Sequence, residues 1–152
     1  MGEMVGIVVV GHGRLAAEML ATLEAVLGRV EGIEAVETAA GDAADAIRGR
    51  IRAAVERVER GRGVVILTDI YGDTQTNQSL GVARETGAEV VAGINMPMLI
   101  KLTTARKTTD APALAQLLRR YGQEHIRWVT EPAAAGVAAP GPLGGGADGR
   151  RA

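Results

Sequence analysis

Gly6-Ile7-Val8-Val9-Val10-Gly11-His12-Gly13-Arg14 decides the fold of this chain. Ile7 to Val10 is β-branched with no polar break, the pattern of a central parallel strand covered on both faces. The glycines on either side of His12, one of only two histidines in the chain, leave its imidazole at the C-terminal edge of that strand. In open α/β sheets that edge is where ligands bind.

Outward from this strand, Leu15, Met19, Leu20, Leu23, Val26 and Leu27 recur at helical spacing, with Gly28 as terminator. Residues 33–38 alternate as a second strand, and Asp42 with Asp45 is expected to open a helix carrying Ile47, Ile51, Val55 and Val58, closed by Gly61 and Gly63. Val64-Val65-Ile66-Leu67 is a third strand, followed by a glycine-containing loop over 69–75, a helix from Thr76 to Gly87 and a fourth strand over 89–94. Met98 to Leu102 turns helical after Asn95-Met96-Pro97, and Asp110 with Pro112 caps a last helix through Tyr121. Residues 125–129 are expected as a short fifth strand. This order predicts an α/β fold, an open, doubly wound, mainly parallel sheet, and if strand 1 lies between strands 2 and 3, as in flavodoxin-like sheets, the strand order is 2-1-3-4. Its winding reverses between strands 1 and 3, so His12 and Asp69 fall on the two loops that line the crevice.

At 152 residues the chain has room for one ordinary domain, and 47% hydrophobic content is that of a soluble protein. We expect a domain over residues 1–130 and a disordered tail rich in Ala, Gly and Pro over 131–152. A net charge of -1 leaves no electrostatic footprint for nucleic acid or an anionic membrane, and three aromatics (Tyr71, Tyr121, Trp128) offer little for base stacking. Without cysteine there is no disulfide, thiolate nucleophile or Cys-ligated zinc, and the two distant histidines give no metal-site spacing. No secretory h-region and no apolar run near the roughly 18 to 20 residues of a membrane span is evident, so the expected location is cytoplasmic.

Chemistry must therefore come from His, Asp and hydroxyls. A carboxylate on one ring nitrogen fixes the tautomer and turns the other nitrogen's lone pair outward, where it can attack phosphorus. Asp69 is the candidate carboxylate, with donors from Gly72 to Gln75 and a following helix N-terminus for the phosphoryl oxygens. Thr74 is the best-placed hydroxyl. Transfer through a loose transition state needs mainly alignment and charge stabilisation, so neither metal nor cofactor is required.

Val10-Gly11-His12-Gly13, the run Thr68 to Asn77 (TDIYGDTQTN) and Gly93 to Leu99 (GINMPML) stand at three successive strand ends. Together they resemble the enzyme IIA domain of the mannose family of the bacterial phosphotransferase system, over about residues 4–130. The resemblance implies a domain that dimerises, with the last strand exchanged between copies, and a histidine that takes phosphate from the carrier protein HPr and passes it to a IIB partner. It maps His12 onto the phosphorylated histidine, Asp69 onto its orienting carboxylate, and Thr74 onto a serine that binds the phosphoryl group. Gly72, Gly13 and Gln75 join Thr74 as phosphoryl-binding candidates. Contact with a membrane would be indirect, through a permease complex.

The chain departs from the family at Gly72-Asp73-Thr74-Gln75, where Gly-Gly-Ser-Pro is usual, and at Gly11, where Thr or Ser is common. A carboxylate at Asp73 would repel a phosphoryl group unless it points away. His125 is expected at a surface or interface, Asn95 and Pro97 as turn residues beside the site, and Met96, Met98 and Leu99 in core or dimer contact.

Other readings fit less of the sequence. Gly11 to Ala16 matches G-x-G-x-x-A with Glu34 about 20 residues on, as in dinucleotide folds, but leaves the Asp69 loop unused. Ser79 lacks a G-x-S-x-G context. A chelatase wants a second histidine in the site, a histidine phosphatase an arginine before His12, and a dihydroxyacetone kinase subunit a different loop at 71–74. A regulatory module of the same fold, with phosphorylation as its signal, keeps every motif.

Overall fold

The structure, a computed structural model, describes residues 2–133. Its elements run β1 (Met4–His12), α1 (Leu15–Leu27), β2 (Ile33–Thr38), α2 (Ala44–Val58), β3 (Gly61–Thr68), α3 (Thr74–Thr86), β4 (Glu89–Ala92), α4 (Met96–Ala105) and α5 (Ala111–Glu124). The four strands form one all-parallel sheet in the order β2-β1-β3-β4, as expected.

Because successive side chains of a strand point to opposite faces, each central strand feeds two cores. On β1, Val5, Ile7 and Val9 join Val65 and Leu67 of β3 under α1, α4 and α5, which add Leu23, Leu99, Leu102, Leu114 and Leu118. Val8 and Val10, with Val64 and Ile66, face the other way onto Ile47, Ile51, Ala54, Val55 and Val82 of α2 and α3. Full burial of each such side chain contributes about 1.5–3 kcal/mol, so the unbroken apolar run of β1 is what a two-sided sheet requires. Gly6 has a packing reason: a Cβ there would sit 2.3 Å from the carbonyl oxygen of Val58.

Three local readings change. Asp42 does not cap α2, whose N-cap Ala43 makes no side-chain hydrogen bond; instead its Oδ2 accepts from the Ala39 N–H at 2.8 Å and from Arg50 at 2.6 Å, tying the preceding turn to the helix face. α2 ends at Val58, and Gly61 and Gly63 already belong to β3, with their N–H groups on the Glu59 carboxylate. α3 begins at Thr74, because Asp73 caps it by accepting from the Thr76 N–H at 2.8 Å.

The expected fifth strand is absent from the described residues. His125 stacks on Tyr121 with ring centroids 3.7 Å apart and holds the Tyr121 carbonyl through Nδ1 at 2.8 Å, which ends α5 in a local cap, and a turn follows. That segment leaves Ile126, Trp128 and Val129 exposed. Of the expected tail, 131–133 are without helix or strand and 134–152 lie outside the described residues. Asn95 caps α4 through the Met98 N–H, and Met98 and Leu99 are core, as expected. Among the described residues no helix is long and apolar enough to cross a membrane.

Candidate functional site

β1 and β3 lie side by side, and the helices that follow them depart to opposite faces, which opens a crevice at their C-terminal ends. His12 is the last residue of β1, paired in register with Thr38 of β2. Gly13 turns the chain off the strand with φ +56° and donates its N–H to the Thr38 carbonyl at 2.7 Å. Gly11 lets the first turn of α1 come close, since a Cβ there would meet the Ala16 nitrogen at 3.2 Å.

Asp69 is the first residue after β3. Its Oδ2 accepts two hydrogen bonds from His12, from the backbone N–H at 2.9 Å and from Nδ1 at 2.8 Å, while Oδ1 accepts the Ile70 N–H at 2.9 Å. A carboxylate without a proton can only accept, so Nδ1 carries the hydrogen and Nε2 is the nitrogen turned away from Asp69. The Asp69 side chain is 7% exposed and that of His12 47%, so the anchor is inside and the ring outside. The hydrogen bond to Asp69 raises the His12 pKa above its ordinary 6.5, against a smaller desolvation effect and with help from the charges of Asp69 and Asp73. Burial pushes Asp69 up, but the backbone and ring hydrogen bonds from His12 outweigh it and hold the carboxyl below 3.8.

Asp73 does not point away. Its Oδ2 lies 3.3 Å from Nε2, at ion-pair distance but outside hydrogen-bond alignment, so this buried oxygen has no hydrogen-bond partner. The imidazole thus stands between two carboxylates, one on each ring edge. Polar atoms of His12, Asp69 and Asp73 lie within 4.8 Å of one another, but Asp69 and Asp73 face opposite ring nitrogens, so no single nitrogen is shared by both carboxylates.

The remaining candidates divide by what their groups already hold. Thr74 and Gln75 occupy the first two positions of α3, where backbone N–H groups have no carbonyl partner within a helix. Both line an open groove of about 590 Å³ with His12, Gly13, Thr38 and Asp42. The Gln75 side chain is committed to the interior: its Nε2 donates to Thr38 Oγ1 at 2.7 Å, and that hydroxyl donates to the Gly11 carbonyl at 3.0 Å. Gly13 likewise has its N–H committed, and its contribution is the positive φ; Gly72 also has a positive φ, 81°, in the loop between Asp69 and α3.

Two buried threonines were not singled out from sequence. The Thr76 hydroxyl donates to the Ile70 carbonyl at 2.6 Å and is shared with Thr68 Oγ1 at 2.8 Å, which pins the Asp69 loop to the end of β3. The signal for this was the Asp73 cap: an acid immediately before a helix starts it at Thr74 and turns Thr76 back over the loop. The dinucleotide reading loses its acidic residue, because Glu34, the second residue of β2, lies opposite Val8 of β1 and is held by Arg57 of α2 at 2.8 Å, away from the C-terminal strand ends where His12 stands.

The sequence model of the family EIIA-man, described as "PTS system fructose IIA component", matches residues 6–118. The chain is 30% identical over 115 residues to the "PTS system mannose-specific EIIAB component" of Escherichia coli K12, covering 75% of this chain and 35% of that protein. It therefore spans about a third of the length of such relatives. It is 21% identical over 129 residues to the "PTS system fructose-specific EIIA component" of Bacillus subtilis, covering 84% of this chain and 88% of the other. In fold it is similar to the mannose/sorbose specific IIA subunit of Enterococcus faecalis, with a TM-score of 0.75 at 24% identity over 88% of this chain and 99% of that one. With the family match over residues 6–118, the parallel 2-1-3-4 sheet and relatives described as a mannose-specific EIIAB component and as fructose- and sorbose-specific EIIA components, the chain belongs to the mannose-family EIIA domains of the sugar phosphotransferase system.

Proposed function

We propose that this domain is a phosphohistidine carrier in which His12 accepts a phosphoryl group from HPr on Nε2 and passes it to a IIB domain. The observation that carries this reading is the pair of hydrogen bonds from His12 to Asp69 Oδ2, at 2.8 and 2.9 Å, which commits Nδ1 and leaves Nε2 as the nucleophile. The donor's P–N bond breaks as the Nε2 lone pair bonds phosphorus. Nδ1 keeps its proton and donates it in a hydrogen bond to the Asp69 carboxylate, whose charge balances that of the phosphorylated ring. Transfer between two imidazoles asks the protein for alignment and charge stabilisation only, so no cofactor takes part. The Thr74 hydroxyl, the N–H groups of Thr74 and Gln75 and the backbone around Gly72 meet the phosphoryl oxygens, aided by the positive end of α3.

The test is incubation of the purified chain with phosphoenolpyruvate, enzyme I and HPr, followed by intact mass in mild base and after acid. An acid-labile gain of one phosphoryl group that disappears in His12→Ala supports the proposal; equal labelling of His12→Ala refutes the site. Passage of the label to a IIB domain, rather than retention as a regulatory signal, is read by adding that domain. We also propose a cytoplasmic homodimer joined through the exposed Ile126, Trp128 and Val129, which sedimentation velocity checks.

A further inference from the structure

Asp73 is held by one oxygen and aimed with the other. Oδ1 accepts the Thr76 N–H at 2.8 Å as the cap of α3, which fixes the carboxylate over the site, while Oδ2 is buried, has no hydrogen-bond partner and faces His12 Nε2 at 3.3 Å. An unpaired buried carboxylate oxygen is costly unless a positive charge stands opposite, and among the described residues the group that faces it is the His12 ring. Other charges around the groove are already matched: Asp42, before α2, pairs with Arg50, and Arg14, before α1, pairs with Glu18. Among the described residues no lysine or arginine pairs with Asp69 or Asp73, so the imidazole is the cation that both carboxylates share.

We propose that Asp73 gates His12: its carboxylate covers the edge of Nε2 where phosphorus must bond, and holds the ring in the protonated, non-nucleophilic form. This rests on the phosphocarrier reading above. Phosphorylation then requires Nε2 to release its proton to water and the Oδ2 oxygen to turn off the ring edge. The Nε2–P bond forms as the donor P–N bond breaks, and the phosphoryl oxygens arrive with their negative charge beside Asp73. Repulsion between the two disfavours the phosphorylated state and favours onward transfer. Asp73 is thus a positioning residue that lowers the steady-state level of phosphohistidine and makes its formation pH-dependent.

Asp73→Asn tests this, because asparagine keeps a good N-cap for α3 and removes the charge. The first readout is the His12 ring titration by NMR in the unphosphorylated full chain. Its midpoint is expected to move to lower pH in Asp73→Asn and in Asp73→Ser, a cap without an amide beside the ring; an unchanged midpoint in both overturns the gate. The second is the pH profile of labelling by phosphorylated HPr. At about pH 6, where the ring of the native protein is held protonated, the variant is expected to label several-fold faster and to reach a higher labelled fraction at equilibrium. A variant that labels more slowly at every pH would show that Asp73 assists the transfer, and would overturn the proposal. If neither protein is labelled, the phosphocarrier reading has failed, while the titration still decides whether Asp73 holds the imidazolium.

Discussion

Replacing Asp69 by asparagine changes one atom at the point where two strand ends meet. The carboxylate accepts three hydrogen bonds, two on Oδ2 from His12 and one on Oδ1 from Ile70. An amide has a single accepting oxygen. If that oxygen faces His12, the NH2 meets the Ile70 N–H donor to donor; if it faces Ile70, both His12 donors are orphaned. Losing a hydrogen bond at this exposed site costs about 0.5–1.5 kcal/mol, which lowers Tm by roughly 4 °C per kcal/mol for a domain of this size. The functional loss has a separate origin: the ring no longer has a charged partner to fix Nδ1–H and balance its positive charge. Loss of a charge-assisted hydrogen bond of about 1.5–3 kcal/mol corresponds to an about 10- to 150-fold slower phosphoryl acceptance, by a factor of ten for each 1.36 kcal/mol.

The pH dependence has a definite sign. The raised His12 pKa contributes stability that is complete below 6.5 and is lost as pH rises through the raised value, and the lowered Asp69 pKa contributes stability that is complete above 3.8 and is lost as pH falls through the lowered value. The pair therefore stabilises fully between those two ordinary values, where Asp69→Asn costs the most stability, and the variant flattens the slopes on either side of that window. Rapid-quench labelling with phosphorylated HPr and urea melts across pH read both effects. Asp69→Asn that labels at the native rate while remaining folded would refute the orienting role.

Two further substitutions probe what holds the site in place. Thr76→Val removes the hydroxyl that joins the Ile70 carbonyl to Thr68, so it is expected to destabilise by about 1–3 kcal/mol and to speed hydrogen exchange in residues 69–73 well beyond that in β1; unchanged exchange would mean that the loop is held by other contacts. Gly6→Ala puts a Cβ against the Val58 carbonyl, an overpacking worth about 1–3 kcal/mol, and is expected to lower the urea midpoint while labelling of the folded fraction stays native.

The succession of strands and helices and both histidine and aspartate of the site were legible because they depend on short-range patterns, whereas the 2-1-3-4 strand order was an expectation by analogy with flavodoxin-like sheets. An uninterrupted β-branched run, glycines around His12 and an aspartate immediately after the third strand say where a parallel sheet ends and what stands on its edge. Boundaries that depend on a single competing hydrogen bond were not legible. Asp42 satisfies the capping pattern as well as Asp73 does, yet Arg50, about two turns into α2, draws its carboxylate onto the preceding turn. Residues 125–129 carry β-forming side chains, but a strand needs a neighbouring strand, and the His125 stack on Tyr121 ends the helix before any is within reach.

The deepest division lies between residue type and direction. By itself, the sequence determined that this is a doubly wound α/β domain with an imidazole and a carboxylate on adjacent strand ends, because alternation and periodicity are properties of the chain alone. Only the tertiary structure decided which way the polar groups point. Arg106 shows it far from the site: it is 1% exposed at the N-terminal ends of β1 and β2, with its guanidinium on the Gly32 carbonyl, and burial pushes its pKa down to about 10. Asp73 shows it at the site, where the cap of α3 aims a carboxylate at Nε2. The physical reason is the same in both cases. A side chain's orientation is set by the partners that packing brings to it from distant segments, and no local pattern carries that information.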